Sequence, residues 1–161
     1  GEGTVAHYYY KFAAEYNKSL IIPISFQLDV IDDVIATSQS STDKIVRLGL
    51  GHVGQGYRYI RQGRRSLGVA IGEIEDSMPS RTAKDRHNKS LLLTAFDTFR
   101  ESFQIGEKML NMIDGFYDDA SKTNFDLTLD DVNEFVLKTS TLEREFNKLH
   151  GNRQQMMTQI Q

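Results

Sequence analysis

The 161-residue sequence predicts an all-α fold, an antiparallel up-down-up-down bundle of four long helices in one domain, and three observations carry the prediction. Apolar residues recur at alternating steps of three and four along four successive stretches, which is how a helix turns one face toward a core. Only two prolines interrupt the chain, and polar turn-forming segments separate the stretches. Outside Lys44 to Leu48, no β-branched run bounded by turn residues suggests a strand.

The first helix is predicted over 5–37, with Tyr9, Phe12, Tyr16, Leu20, Ile24, Leu28, Ile31 and Ile35 along its seam. Pro23 falls inside it. A proline lacks the backbone donor and its ring crowds the carbonyl four residues back, so a kink is expected between Ser19 and Pro23. Gln39 to Asp43 reads as a polar turn that caps a second helix over 43–78. Its seam runs Val46, Leu50, Val53, Tyr57, Ile60, Arg64, Leu67, Ile71, Ile74 and Met78, and Pro79-Ser80 ends it. The third helix, over 82–118, carries Leu92, Phe96, Phe99, Phe103, Gly106, Leu110, Ile113 and Tyr117. A polar connection, Asp119 to Asp126, follows. Thr128 and Asp131 approximate a capping box for the last helix, over 129–160. Its seam is Val132, Phe135, Thr139, Leu142, Phe146, Leu149, Arg153, Met156 and Ile160.

The second helix competes with another reading. Gly49, Gly51 and Gly54 spell G-x-G-x-x-G after Lys44 to Leu48, and Glu73, Glu75 and Asp76 follow at a distance suited to a ribose-binding carboxylate, so a nucleotide-binding protein is one alternative. Such a unit needs neighbouring strands, and the chain offers none, whereas the heptad runs through all three glycines. Inside a helix each glycine costs roughly 1 kcal/mol against alanine, so these glycines require a reason. Gly49, Gly56, Gly63 and Ala70 recur every seventh residue and form a flat stripe that lets a partner helix approach closely. Gly51, Gly54, Gly68 and Gly72 lie off that stripe and have no such explanation.

Composition narrows the partners. With 39% hydrophobic and 25% charged residues the chain is long enough to bury a sizeable core, and a net charge of -3 with a pI near 5.8 gives no basic excess to attract nucleic acid. Zero cysteines exclude disulfides, thiolate metal sites and a cysteine nucleophile. No stretch approaches the apolar length of a membrane span, and no signal peptide is visible. The Gly-Glu-Gly start reads as a cut edge, so flanking segments are expected.

Catalytic signatures are not found. His7, His52, His87 and His150 fall one to a helix, and none pairs with a Glu-x-x-His, so neither a metal nor a cofactor is expected. The carboxylate pairs Asp32-Asp33, Asp118-Asp119 and Asp130-Asp131 suit solvated faces or helix starts. The residues that invite a function are two arginines in seam positions. Heights counted along antiparallel helices place Arg64 level with Lys18, Ala95 and Gly151, with Arg153 in the same layer. With Arg61, Arg65 and Tyr16 close by, the two guanidinium groups would bind a carboxylate or another small anion bidentately. The alternative is that they turn outward or pair with Glu15, Asp97 or Glu101. The run Tyr57 to Arg65 interleaves aromatics with bases and suits RNA or phospholipid head groups, against which the acidic balance argues. Tyr8, Tyr9 and Tyr10 suit core packing or an interfacial belt.

A long four-helix bundle with both ends together resembles the extracytoplasmic sensor domains set between two membrane spans in bacterial chemoreceptors and sensor kinases. The resemblance is one of architecture, spans the whole chain and transfers no ligand residue. It implies a non-catalytic ligand-sensing domain that is periplasmic or at the cell surface and joined to the membrane through flanking segments. It further implies that the domain pairs as a homodimer, binds a small molecule or protein between helices and signals by a small shift of one helix along another. The rival from another class is an envelope or cytoplasmic adaptor or lipoprotein that displays a protein-binding face.

Overall fold

The computed structural model describes residues 4–36, 39–124 and 126–161. Four helical rods pack against one another, and no strand occurs among the described residues. The first rod is built of α1 (Val5–Tyr16), a π-helical turn (Asn17–Ile21) and α2 (Ile22–Ala36). The others are α3 (Gln39–Ser77), α4 (Ala83–Lys122) and α5 (Leu129–Thr158).

The expected disturbance ahead of Pro23 is a π-turn. Ile22 N donates to the Asn17 carbonyl, one residue further than in an α-helix, and the extra residue relieves the crowding that the proline ring imposes on the preceding turn. The rod continues through it. Thr4 caps α1, its Oγ1 accepting from His7 N at 3.2 Å. The polar stretch expected to be a turn at Gln39 to Asp43 is already helical, and Thr37, at the expected end of the first helix, lies outside the described residues. A full capping box forms at Thr82 and Asp85, where the side chain of each accepts from the backbone N–H of the other, at 3.0 and 3.3 Å. At Thr128 only the Oγ1 contact to Asp131 N is made, at 3.1 Å. The third helix runs four residues past its expected end, to Lys122, and Asn124 then adopts φ 53, a left-handed conformation that asparagine tolerates.

α3 is one unbroken helix through Gly49, Gly51 and Gly54, so the strand, tight turn and helix that a dinucleotide fingerprint requires are not formed there. Its buried seam is Val46, Gly49, Val53, Gly56, Ile60, Gly63, Leu67 and Ile74. This corrects the expected seam. Leu50 and Arg64 are exposed and Tyr57 half-buried, because the glycines one residue earlier occupy the inward position; Ile71 and Ala70 before it are both half-buried. Each is used by α4. The Tyr117 ring lies over Gly49, where an added Cβ would overlap it; Leu110 would stand 3.1 Å from a Cβ at Gly56; and the Phe103 ring would stand 2.6 Å from one at Gly63. Gly106 of α4 accepts Leu20 in the same way. These close approaches bury whole aromatic and leucine side chains, each contributing roughly 1.5–3 kcal/mol, which outweighs the helix-propensity cost of the glycine beneath it.

A buried polar tie crosses the same region. Tyr117 OH donates to Gln27 Oε1 at 2.6 Å, and Gln27 Nε2 donates to the Gly49 carbonyl at 3.1 Å. α5 is bound differently. It packs on α4 through Phe135, Thr139 and Arg153, while Leu142, Phe146 and Leu149 remain half-buried, and it makes scarcely any close backbone approach to the first rod.

Candidate functional site

Because α5 stands off from the first rod, a cleft of about 610 Å³ opens between them. Phe99 and Met109 of α4 lie in its lining. Tyr9, Tyr16, Ile21, Ile24 and Leu28 line it from the first rod, and Glu143, Phe146, His150, Arg153 and Gln154 from α5. The volume falls within the range of small-molecule pockets, and the lining is mainly apolar with a few convergent polar groups.

The chief of these is Arg153, fully buried at 0% exposure. Its Nη1 donates to the Ser102 hydroxyl at 2.8 Å and to the carbonyl and hydroxyl of Thr98, each at 3.1 Å. The Thr98 hydroxyl gives its own proton to the Ala95 carbonyl at 2.7 Å, so lone pairs face the guanidinium. Nη2 donates to Tyr16 OH at 3.1 Å. The guanidinium carbon lies 4.4 Å from the centre of the Phe99 ring and 5.2 Å from that of Tyr16, two rings that touch each other with centroids 4.7 Å apart, so both aromatics meet the cation from neighbouring directions and desolvation strengthens the cation–π contact.

Two features of this arrangement stand out. Nε has no hydrogen-bond partner, and among the described residues no carboxylate comes within ion-pairing distance of the guanidinium. Burial lowers the pKa of Arg153, opposed by the nearby Tyr16 and Tyr9 hydroxyls and a weaker attraction from Glu101. Arginine nevertheless stays protonated in proteins, so the side chain carries a buried positive charge with a donor to spare. Burial likewise raises the pKa of Tyr16 and of Tyr9, with Arg153 pulling both back, so both phenols are neutral donors near neutral pH. Gln154 Nε2 donates to Tyr9 OH at 3.2 Å, extending the polar end of the cleft. What the site can do chemically is hold an anion against a cation already stripped of water.

Of the residues singled out from sequence, Tyr16 and Arg153 meet here. Arg64 does not. It lies on the exposed flank of α3, where Nη2 pairs with Glu107 at 2.6 Å. The inward position at that level belongs to Gly63, so the expected layer of two converging arginines is not formed. Arg61 and Arg65 are exposed and line a shallow surface hollow with Arg58 and Tyr59. Thr98 and Ser102, which complete the arginine's surroundings, were not singled out, and Phe99 and Tyr9 were read as seam aromatics and not as neighbours of the arginine. The available signal was Thr98 and Ser102, four residues apart and flanking an otherwise aromatic seam.

Among the described residues no group of three or more His, Asp or Glu side chains could hold a metal ion, and no helix is long and apolar enough to cross a membrane. No family model, curated protein or solved structure matches this chain.

Proposed function

We propose that this domain is a non-catalytic ligand sensor, in which a small carboxylate enters the cleft between the first rod and α5 and is held at Arg153. One observation carries the reading: a fully buried guanidinium at a cleft, with an unpartnered Nε and no carboxylate of its own. A protein that retained Arg153 for packing alone would gain by a hydrophobic residue there, since an uncompensated buried charge is costly.

The rods follow antiparallel up-down-up-down order in this reading. Cross-contacts support it, since partners run in opposite chain directions: Lys11 meets Glu73 while Gln27 meets Gly49, and Asn88 meets Gln161 while Phe116 meets Phe135. Both termini then lie at one end, as in an extracytoplasmic sensor segment held between two membrane spans and paired as a homodimer. Ligand binding draws α5 toward the first rod, and the π-turn gives that rod a place to change register.

A thermal-shift series with acetate, succinate and benzoate against the matching amides tests the site. Melting temperature rises with carboxylate concentration and not with amide, and Arg153→Gln removes the rise. A flat response to these and to long-chain carboxylates alike sinks the proposal. For the placement, the decisive observation is an apolar span on each side of this segment in its gene.

The adaptor reading has one observation in its favour. Leu129, Val136 and Leu137 on α5 are exposed, at 74%, 39% and 66%, and a protein partner would cover them.

A further inference from the structure

We infer that the ligand of the cleft is a monoanionic amphiphile, with one carboxylate at Arg153 and an extended apolar body lying along Ile21, Ile24, Leu28 and Met109. This rests on the reading of Arg153 as the anion anchor and names the chemical class of what is anchored.

The cleft is a trough with two unlike ends. On α4 its lining runs from Phe99 to Met109, ten residues or roughly 15 Å at the helical rise, and on the first rod it extends from Tyr9 as far as Leu28. Polar groups gather near Arg153, where Gln154 and the Tyr9 and Tyr16 hydroxyls sit together. Beyond Tyr16 the first rod contributes Ile21, Ile24 and Leu28 with Asn17 and Ser25 among them, α4 contributes Met109, and α5 contributes Asn147, so the far part is mainly but not wholly apolar. A small hydrophilic acid would satisfy the guanidinium and leave this apolar length wet. An alkyl or aryl-alkyl chain covers it.

The charge pattern limits the head to one end. Glu143 lines the same α5 wall as Arg153 but lies ten residues, roughly 15 Å, away from it. A second negative charge at the far end of the ligand would meet that carboxylate, whereas a methyl-terminated chain would not. The trough therefore selects long monocarboxylates over both short acids and long diacids.

The test is a calorimetric titration of the whole chain with linear monocarboxylates from hexanoate to palmitate, each below its micellar concentration. The matching primary alcohols and α,ω-diacids are run beside them. The expected result is one site per chain, with affinity rising up to about fourfold per added methylene until the tail reaches the Leu28 end. Alcohols bind at least about tenfold more weakly, consistent with loss of a charge-assisted hydrogen bond. Diacids bind more weakly than monoacids of equal length. Arg153→Gln abolishes the difference between acid and alcohol, and its helicity and melting curve report whether it folds. Leu28→Trp, at a half-buried position, leaves the head site intact and makes the affinity level off at a shorter chain.

Three results would overturn the inference. If short acids bind and added methylenes bring no gain, the anion site stands and the amphiphile falls. If no carboxylate of any length binds, both fall. Unsaturable binding of alcohols and acids alike would assign the trough to nonspecific apolar contact, and the ligand class would have to be withdrawn.

Discussion

α4 packs against α3 on one side and against the first rod and α5 on the other, and the two sides differ because the neighbours differ in bulk. Against α3, Tyr117 and Phe103 lie over Gly49 and Gly63, so the helices close on each other. On the other side, the first rod and α5 bring Tyr9, Tyr16, Phe146 and Arg153 toward α4, and large groups facing large groups hold the rods apart. Helix spacing follows the smallest side chain at each contact level, within the 8–10 Å that helix pairs adopt. A seam with nothing at its contact positions closes, and a seam with too much leaves a cleft.

The most severe way to break this contrast is to give the closed seam the bulk of the open one. Gly63→Leu would drive a side chain into the Phe103 ring and Ser19 Cβ, which already stand 2.6 and 2.8 Å from a single added Cβ. Overpacking of this kind costs about 3 kcal/mol, and for a chain of this length the melting temperature should fall by roughly 10 °C. If Gly63→Leu melts with the unmodified protein, the glycines do not set the spacing.

A smaller effect is expected at the polar tie. Tyr117→Phe leaves Gln27 Oε1 buried without its donor, a loss of about 1–3 kcal/mol measured by urea unfolding. Adding Gln27→Leu should recover part of it, because removing both partners is less costly than orphaning one. A double variant whose loss equals the sum of the singles would deny the coupling.

The fold was legible because steps of three and four persist along each rod, and helix existence needs no more than that. The small-residue stripe of Gly49, Gly56, Gly63 and Ala70 was legible as a surface for close approach, but a pattern of apolar side chains does not count glycine, so Leu50, Tyr57 and Arg64 were placed in the seam in the positions that Gly49, Gly56 and Gly63 take. One residue is 100° of helix, enough to carry Arg64 from the core to its pair with Glu107. Arg153 was legible as an arginine in a seam, with Tyr16 beside it. The cleft was not, since an opening between two rods depends on how side chains from three of them collide, and no single rod's periodicity holds that information.

Alkaline pH separates the two regions by a further small effect. Burial raises the pKa of Tyr117 at the closed seam and of Tyr9 and Tyr16 at the open one. For a raised pKa the unfolded chain releases its proton first, so stability is full below about pH 10, the unfolded value, and falls as pH climbs beyond it. Urea midpoints should therefore hold level from pH 8 to 9.5 and decline above 10. Tyr117→Phe should remove more of that decline than Tyr16→Phe, because Arg153 counteracts the shift at Tyr16. A midpoint that rises between pH 9.5 and 11 would contradict the sign.

The outward glycines of α3 sharpen the contrast by doing the opposite of Gly63. A Cβ at Gly51, Gly68 or Gly72 would meet nothing within 4 Å. Alanine there restricts the unfolded chain and restores helix propensity, so each substitution should raise stability by about 0.4–1 kcal/mol in denaturant unfolding. A loss at any of the three would mean that the surface is covered by a partner.

The least change in stability is expected where the change in function should be greatest. Arg153→Met keeps a long side chain against Phe99 and Tyr16 and removes a charge that no carboxylate among the described residues balances. Replacing a buried ion by an apolar group of similar size is often neutral or stabilising, so the melting temperature should stay level or rise. Carboxylate binding, measured on the same variant by calorimetry, should disappear. A fall of several kcal/mol in stability with binding intact would instead make Arg153 a packing element, and the open seam would lose its claim to be anything more than a less perfect version of the closed one.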